Sequence, residues 1–202
     1  LGRVGPAVQH HVLHPLAQVG VEVMQAAQGA LRHGALYDLI ERESPQDVRS
    51  SMVDSLAQRF GTDKLQAERV SRTAQHLLQT LIPETTDTPV AERQRYLQKL
   101  HWACQLHEIG MRISHSDYHK HGAYILDNTD LQGFTMNELH RLSQLVLGHR
   151  GKLRKLESEL EDASFVLQLM ALRIAVILCH ARRDPDLSGL SLVCDQHRRN
   201  TQ

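Results

Sequence analysis

From Ser44 onward, apolar residues recur every three or four positions. Val70, Thr73, Ala74, Leu77, Leu78 and Leu81 fall on one face of a helix. Leu97, Leu100, Ala103 and Cys104 form a second such stripe, and Leu139, Leu142, Leu145 and Val146 a third. Phe165 to Ala181 is apolar nearly all round, as in a helix buried in a core. The pattern predicts helices near 64–82, 89–109, 136–148 and 164–182, packed around His107. The punctuation agrees. Ser44-Pro45 reads as an N-cap with proline at the first helical position, and Phe60-Gly61 closes that helix. Asp63 with Gln66, and Thr135 with Glu138, have capping-box spacing. Thr88-Pro89 starts a helix, Gly110 ends or bends it, and Gly148 with Gly151 break the next. Asp162 caps the last long helix, and Asp184-Pro185 stops it.

The first 43 residues have another texture. Val21 to Ala27 alternates like a short strand, and a helical stretch follows Gly29. A lone strand needs a sheet, so this segment is expected to be a remnant of a larger α/β domain. The chain opens at Leu1, and we expect it to be part of a longer protein. The expected organisation is a remnant over 1–43, a mostly α domain over 44–185, and a tail or the start of a further subdomain over 186–202.

Composition narrows the partners. The 202 residues carry 23 Lys+Arg and 23 Asp+Glu, so any anion site must be a local patch. Three scattered cysteines, Cys104, Cys179 and Cys194, favour a reducing compartment, and cytoplasm is the expectation. Gln168, Arg173 and His180 interrupt the longest apolar run, which excludes a membrane span there. No GxSxG, Walker A or GxGxxG motif is present.

Three constellations could carry chemistry. The pair His107-Glu108 resembles the centre of an HD-type metal site, in which imidazoles and carboxylates from several helices hold divalent ions. The matching positions here are Gln66 and Val176, so the motif is degenerate and no metal is expected. His107 then reads as a packed helix histidine. The second is SHSDYHKHG, read as a polar loop presenting Ser114, His115, Ser116, His119, Lys120 and His121 to phosphate oxygens, or as a plain solvated loop. The third is Gly148 to Lys155, with four Lys/Arg in six residues beside glycines that let backbone approach an anion. It reads either as an anion site or as a solvated run paired with the acids that follow. Aromatic residues are 4% of the chain and none interleaves this run, which argues against nucleic acid. Histidines in such a site should add positive charge as pH falls toward about 6.5.

The string LHEIGMRISHSDYHKHGAYILDNTDLQGFT, followed by LVLGHRGKL, resembles the signature stretch of the exopolyphosphatase / guanosine pentaphosphatase (Ppx/GppA) family. The resemblance runs over roughly 1–185 and is strongest at 100–155. It implies an HD-like helical domain preceded by the last strand and helix of a truncated actin-like ATPase domain. Magnesium and the catalytic groups would belong to that missing N-terminal part, leaving no catalytic residue and no cofactor in this chain. It further implies a homodimer and a basic channel for polyphosphate or guanosine pentaphosphate. Carried onto this chain, the channel residues are Arg112, His115, His119, Lys120, His121, His149, Arg150 and Lys152. The parent reaction would release terminal phosphate from either substrate. The sequence departs from the family's pattern at Gln9-His10 and at Gln28 to Gly34, where an amide and an imidazole replace two carboxylates. Two other readings stay open: an autonomous HD-type metal-dependent phosphohydrolase, and a divergent regulatory scaffold without catalysis.

Overall fold

Helix α1 (Pro45–Arg59) ends as the sequence predicts, on a glycine. Gly61 takes φ +65°, and the Thr62 amide returns to the Ala57 carbonyl at 3.1 Å, satisfying one of the helix's last acceptors. The computed structural model describes residues 45–82, 89–190 and 192, all within one unit, Glu43–Gln202. The further helices are α2 (Lys64–Leu81), α3 (Val90–Leu106), α4 (Tyr118–Asp127), α5 (Met136–Gly148) and α6 (Ala163–Leu178). Short 3-10 turns lie at Ile109–Arg112, Leu153–Leu156 and Glu159–Glu161. Among the described residues there is no strand. The expected strand Val21 to Ala27, and the α/β remnant over 1–43, lie outside the described residues.

The predicted stripes make the core. Val70, Ala74 and Leu77 of α2 meet Leu100 and Ala103 of α3, Leu142 and Leu145 of α5, and Phe165, Leu169 and Leu172 of α6 in one buried cluster. Each fully buried side chain of this size contributes about 1.5–3 kcal/mol by leaving water. No described helix is long and apolar enough to cross a membrane. Leu190 and Leu192 also pack against the core, so the start of the predicted tail is docked.

The caps explain the helix starts. Thr135 and Glu138 form a complete capping box. Asp162 accepts from the Ser164 and Phe165 amides. Asp63 accepts from the Gln66 amide at 3.1 Å, but the Gln66 side chain leaves the cap and donates to the Cys179 carbonyl at 2.8 Å. That pair is therefore half a box, and its second half ties α2 to the end of α6.

Three boundaries differ from the sequence reading. Helix α3 stops at Leu106, and Gly110 sits in the 3-10 turn beyond it. Helix α6 stops at Leu178, short of Asp184-Pro185, where the Cys179 amide closes on Ala175 and Ile177. The stretch read as a polar loop around His119 is instead the first half of α4. Asp117, at φ +55°, turns the chain into that helix.

Candidate functional site

The architecture of the signature stretch rests on close backbone approach. Gly110 lies against the start of α4, where a Cβ would come within 1.9 Å of the Tyr118 carbonyl oxygen and 2.5 Å of the Gly122 nitrogen. Gly122 in turn faces Val146, with a Cβ there only 2.9 Å from its methyl carbon. Glycine at both positions lets the 3-10 turn, α4 and α5 stack with backbone nearly in contact. This is why the HEIG and HGAYIL segments need their glycines.

The stack brings three histidines together. His107, His119 and His149 are 2%, 8% and 3% exposed. The rings of His107 and His149 meet edge to face at 5.4 Å, and those of His119 and His149 at 6.3 Å. His107 Nδ1 is 2.7 Å from the Cys104 carbonyl, and His149 Nδ1 is 2.6 Å from that of Val146. A carbonyl can only accept, so each Nδ1 carries a proton. His149 Nε2 then accepts from the Tyr118 hydroxyl at 3.2 Å. Burial pushes the pKa of all three below the ordinary histidine value, that of His149 well below, with the neighbouring His107 adding to its shift.

The degenerate metal motif is structural here. Gln66 donates to Cys179 and accepts from Arg69 at 2.6 Å, so both ends of its amide are engaged. Val176 is partly buried against the core and offers no donor atom. Glu108 sits 3.9 Å from His107 Nε2 and accepts from Arg182 at 3.3 Å, while Arg182 also binds Asp63 at 2.6 Å. Among the described residues no group of three His, Cys, Asp or Glu side chains has the placement to hold a metal ion. At the two matching positions of the motif, Gln66 and Val176 do not fit a divalent metal.

The cations gather outside this cluster. Lys120, Lys152, Arg154 and Lys155 line a groove of about 340 Å³ together with His119 and Asp117. Asp117 pairs with Lys120 at 2.8 Å, so the groove keeps an excess of positive charge. Arg173 of α6 braces the Gly151 edge of the groove, donating to the Gly148 carbonyl at 2.5 Å and the Gly151 carbonyl at 3.1 Å. It thereby satisfies a helix end and fixes the glycine turn that carries Lys152. Gly151 itself needs its positive φ of +80°.

Of the eight residues named from sequence, the groove collects His119, Lys120 and Lys152. Arg150 is exposed next to it, its guanidinium 5.3 Å over the Tyr118 ring. Arg112 and His115 are exposed on the preceding turn, and His121 is half-buried on α4. None of those three lines the groove. His149 is buried and hydrogen-bonded to Tyr118, and does not line the groove. Burial lowers the pKa of His119 and His149, which works against the gain of histidine charge expected as pH falls toward 6.5. Arg154 and Lys155 complete the groove; they stand in the same basic run. Sequence reading misses Tyr118 and Arg173, since one looks like loop and the other like a break in an apolar helix.

Comparison with known proteins agrees with this architecture. Residues 48–200 match the model of Ppx/GppA phosphatase, domain III. The chain is 35% identical over 185 residues to the guanosine-5'-triphosphate,3'-diphosphate pyrophosphatase of Pseudoalteromonas translucida, covering 90% of this chain and 36% of that protein. The protein of that name from Photobacterium profundum is 36% identical over 168 residues, covering 81% and 32%. That from Aeromonas hydrophila is 36% identical over 183 residues, covering 88% and 36%. The chain spans about a third of the length of these curated relatives. With three quarters of its length matched by the domain model, this chain belongs to the Ppx/GppA phosphatase family.

Proposed function

We propose that this domain holds the phosphate chain of polyphosphate or guanosine pentaphosphate for a Ppx/GppA-type phosphohydrolase. The observation that carries the reading is the groove of Lys120, Lys152, Arg154 and Lys155, a concentration of cations in a chain of zero formal net charge. Phosphate oxygens are spaced along a flexible chain, and separate ammonium and guanidinium groups suit them. The names of the relatives favour guanosine pentaphosphate as the substrate. Arg150, held over Tyr118, extends the cationic surface, and a longer phosphate chain would engage Arg112, His115 and His121 beyond the groove.

Hydrolysis belongs to residues outside this helical domain. Magnesium and the catalytic carboxylate are assigned to the preceding actin-like domain, of which residues 1–43 would be the last strand and helix. The whole protein would act as a homodimer. An autonomous metal-dependent phosphohydrolase is disfavoured by the engagement of Gln66 and the identity of Val176.

Equilibrium binding of long-chain polyphosphate to the purified chain tests the reading. Lys152→Glu with Arg154→Glu should weaken binding at least about tenfold at low salt. Arg59→Glu with Lys64→Glu, two exposed cations on other elements, should change it little. Equal loss in both double variants, or in neither, would leave the groove without a role and favour a scaffold.

A further inference from the structure

A second cationic groove opens on another face. Arg95, Lys99 and Trp102 lie along one side of α3, with spacings of four and three that put them in a row. With Arg49 of α1 and Glu138 of α5 they line a depression of about 590 Å³, within the size range of small-ligand sites. An adjoining groove of about 440 Å³ shares Lys99 and Glu138 and adds Arg141 and Asp162. Lys99 is the ridge between the two.

We infer that the Arg95–Lys99–Trp102 groove is a second anion site, one that binds a phosphate group carried by a small polyanion. In this groove three cations, Arg49, Arg95 and Lys99, face one carboxylate, Glu138, and across the Lys99 ridge Arg141 stands with Asp162 and Glu159; Glu138 and Asp162 are already engaged. Glu138 bonds Arg49 at 3.1 Å and closes the Thr135 cap. Asp162 bonds Arg141 at 2.5 Å and caps α6. Two positive charges are therefore left without a bonded anion among the described residues. Lys99 is half-buried and makes no ion pair or hydrogen bond to a described residue. Burial and then Arg141 lower its pKa, the response of an ammonium crowded by other cations. Arg141 Nε is also buried without a partner.

The groove is built to hold its shape. Arg49 is fixed by the Gly133 carbonyl at 2.7 Å and lies 5.5 Å over the Phe134 ring. Phe134 meets Trp102 edge to face at 4.9 Å, and the indole N–H donates to Ser50 at 3.3 Å. Preorganised donors cost little ordering on binding. Trp102 is only 3% exposed, so its face is closed to a nucleobase. Recognition is of the phosphate, whether it arrives on an inorganic chain or on a nucleotide.

Trp102 is the chain's single tryptophan and floors the groove, so its fluorescence reports this site. Titration with inorganic tripolyphosphate should give a saturable change in emission, and chloride at equal ionic strength should not. Lys99→Met, which keeps the apolar stem, and Arg95→Gln should each weaken the response about tenfold. Lys152→Glu with Arg154→Glu should leave it intact, which separates this site from the Lys152 groove. Guanosine triphosphate should bind about as tightly as tripolyphosphate. The inference is overturned by an unsaturable or chloride-mimicked signal. It is equally overturned by a signal lost in the Lys152 variant but kept in Lys99→Met, or by a tenfold preference for the nucleotide.

Discussion

Tyr118 and His149 join the first residue of α4 to the first residue past α5 by one buried hydrogen bond, 3.2 Å from phenol oxygen to imidazole Nε2. The direction of that bond is fixed elsewhere. Because Val146 takes the proton on Nδ1, Nε2 can only accept, and Tyr118 must donate. Tyr118→Phe leaves a buried acceptor unpaired and should cost about 1–3 kcal/mol. Urea denaturation with an unchanged m-value checks this. A neutral result would mean that the bond does not help hold α4 on α5.

Acid should loosen the same region. Burial places His101, His107, His119 and His149 below the ordinary histidine pKa of 6.5. Each takes up a proton less readily when folded than when unfolded. Stability is then fully present above about 6.5 and lost as pH falls from there toward the folded values. The main carboxylate contributions, such as that of Asp162, held down to about 2, fade only at lower pH. The thermal midpoint should drop between about pH 7 and pH 5, and His149→Gln should flatten that drop. A midpoint that rises on acidification would contradict the lowered histidine pKa values.

Two glycines should respond very differently to alanine. At Gly110 the new methyl collides with backbone at 1.9 Å, and no flexible side chain can yield. Gly110→Ala should unfold the domain or cost several kcal/mol, on the order of the largest single-site effects. At Gly61 the space is open and only the positive φ of +65° resists, so Gly61→Ala should cost about 1 kcal/mol. Circular dichroism melts of the pair distinguish close packing from backbone strain.

The helices are legible in the sequence because each carries its own punctuation. Thr135 with Glu138, Asp162, Phe60-Gly61 and the stripe from Val70 to Leu78 are local signals, and each falls where its helix begins, ends or buries. Helix α4 is not legible, because Ser114 to His121 shows no apolar stripe until Ala123. Its formation depends on Asp117 turning the chain and on Gly110 admitting the backbone, both tertiary facts. Lys120 stands out among the histidines and Lys152 beside Gly151. His149 looks like part of the same surface run, and only the fold shows that it is buried and bonded to Tyr118. Arg173 is hidden for the opposite reason, a single cation in an apolar helix whose targets are carbonyls 25 and 22 residues away.

Arg173 should matter to both stability and binding. Its two carbonyl bonds depend on the guanidinium fork, which lysine lacks. Arg173→Lys keeps the charge but should cost about 1–3 kcal/mol and weaken polyphosphate binding severalfold by loosening the Gly151 turn. Calorimetry beside binding separates these effects. Unchanged affinity in a destabilised variant would show that the turn need not be held.

The central claim is that Lys152 and Arg154 neutralise phosphates in the groove. The salt dependence of polyphosphate affinity measures this most directly, because each phosphate contact releases counterions. Log affinity against log salt should fall steeply for the wild-type chain. The slope should become shallower by about two when Lys152 and Arg154 are both replaced by glutamine, one unit per lost contact. An identical slope and affinity in the two proteins would contradict the account.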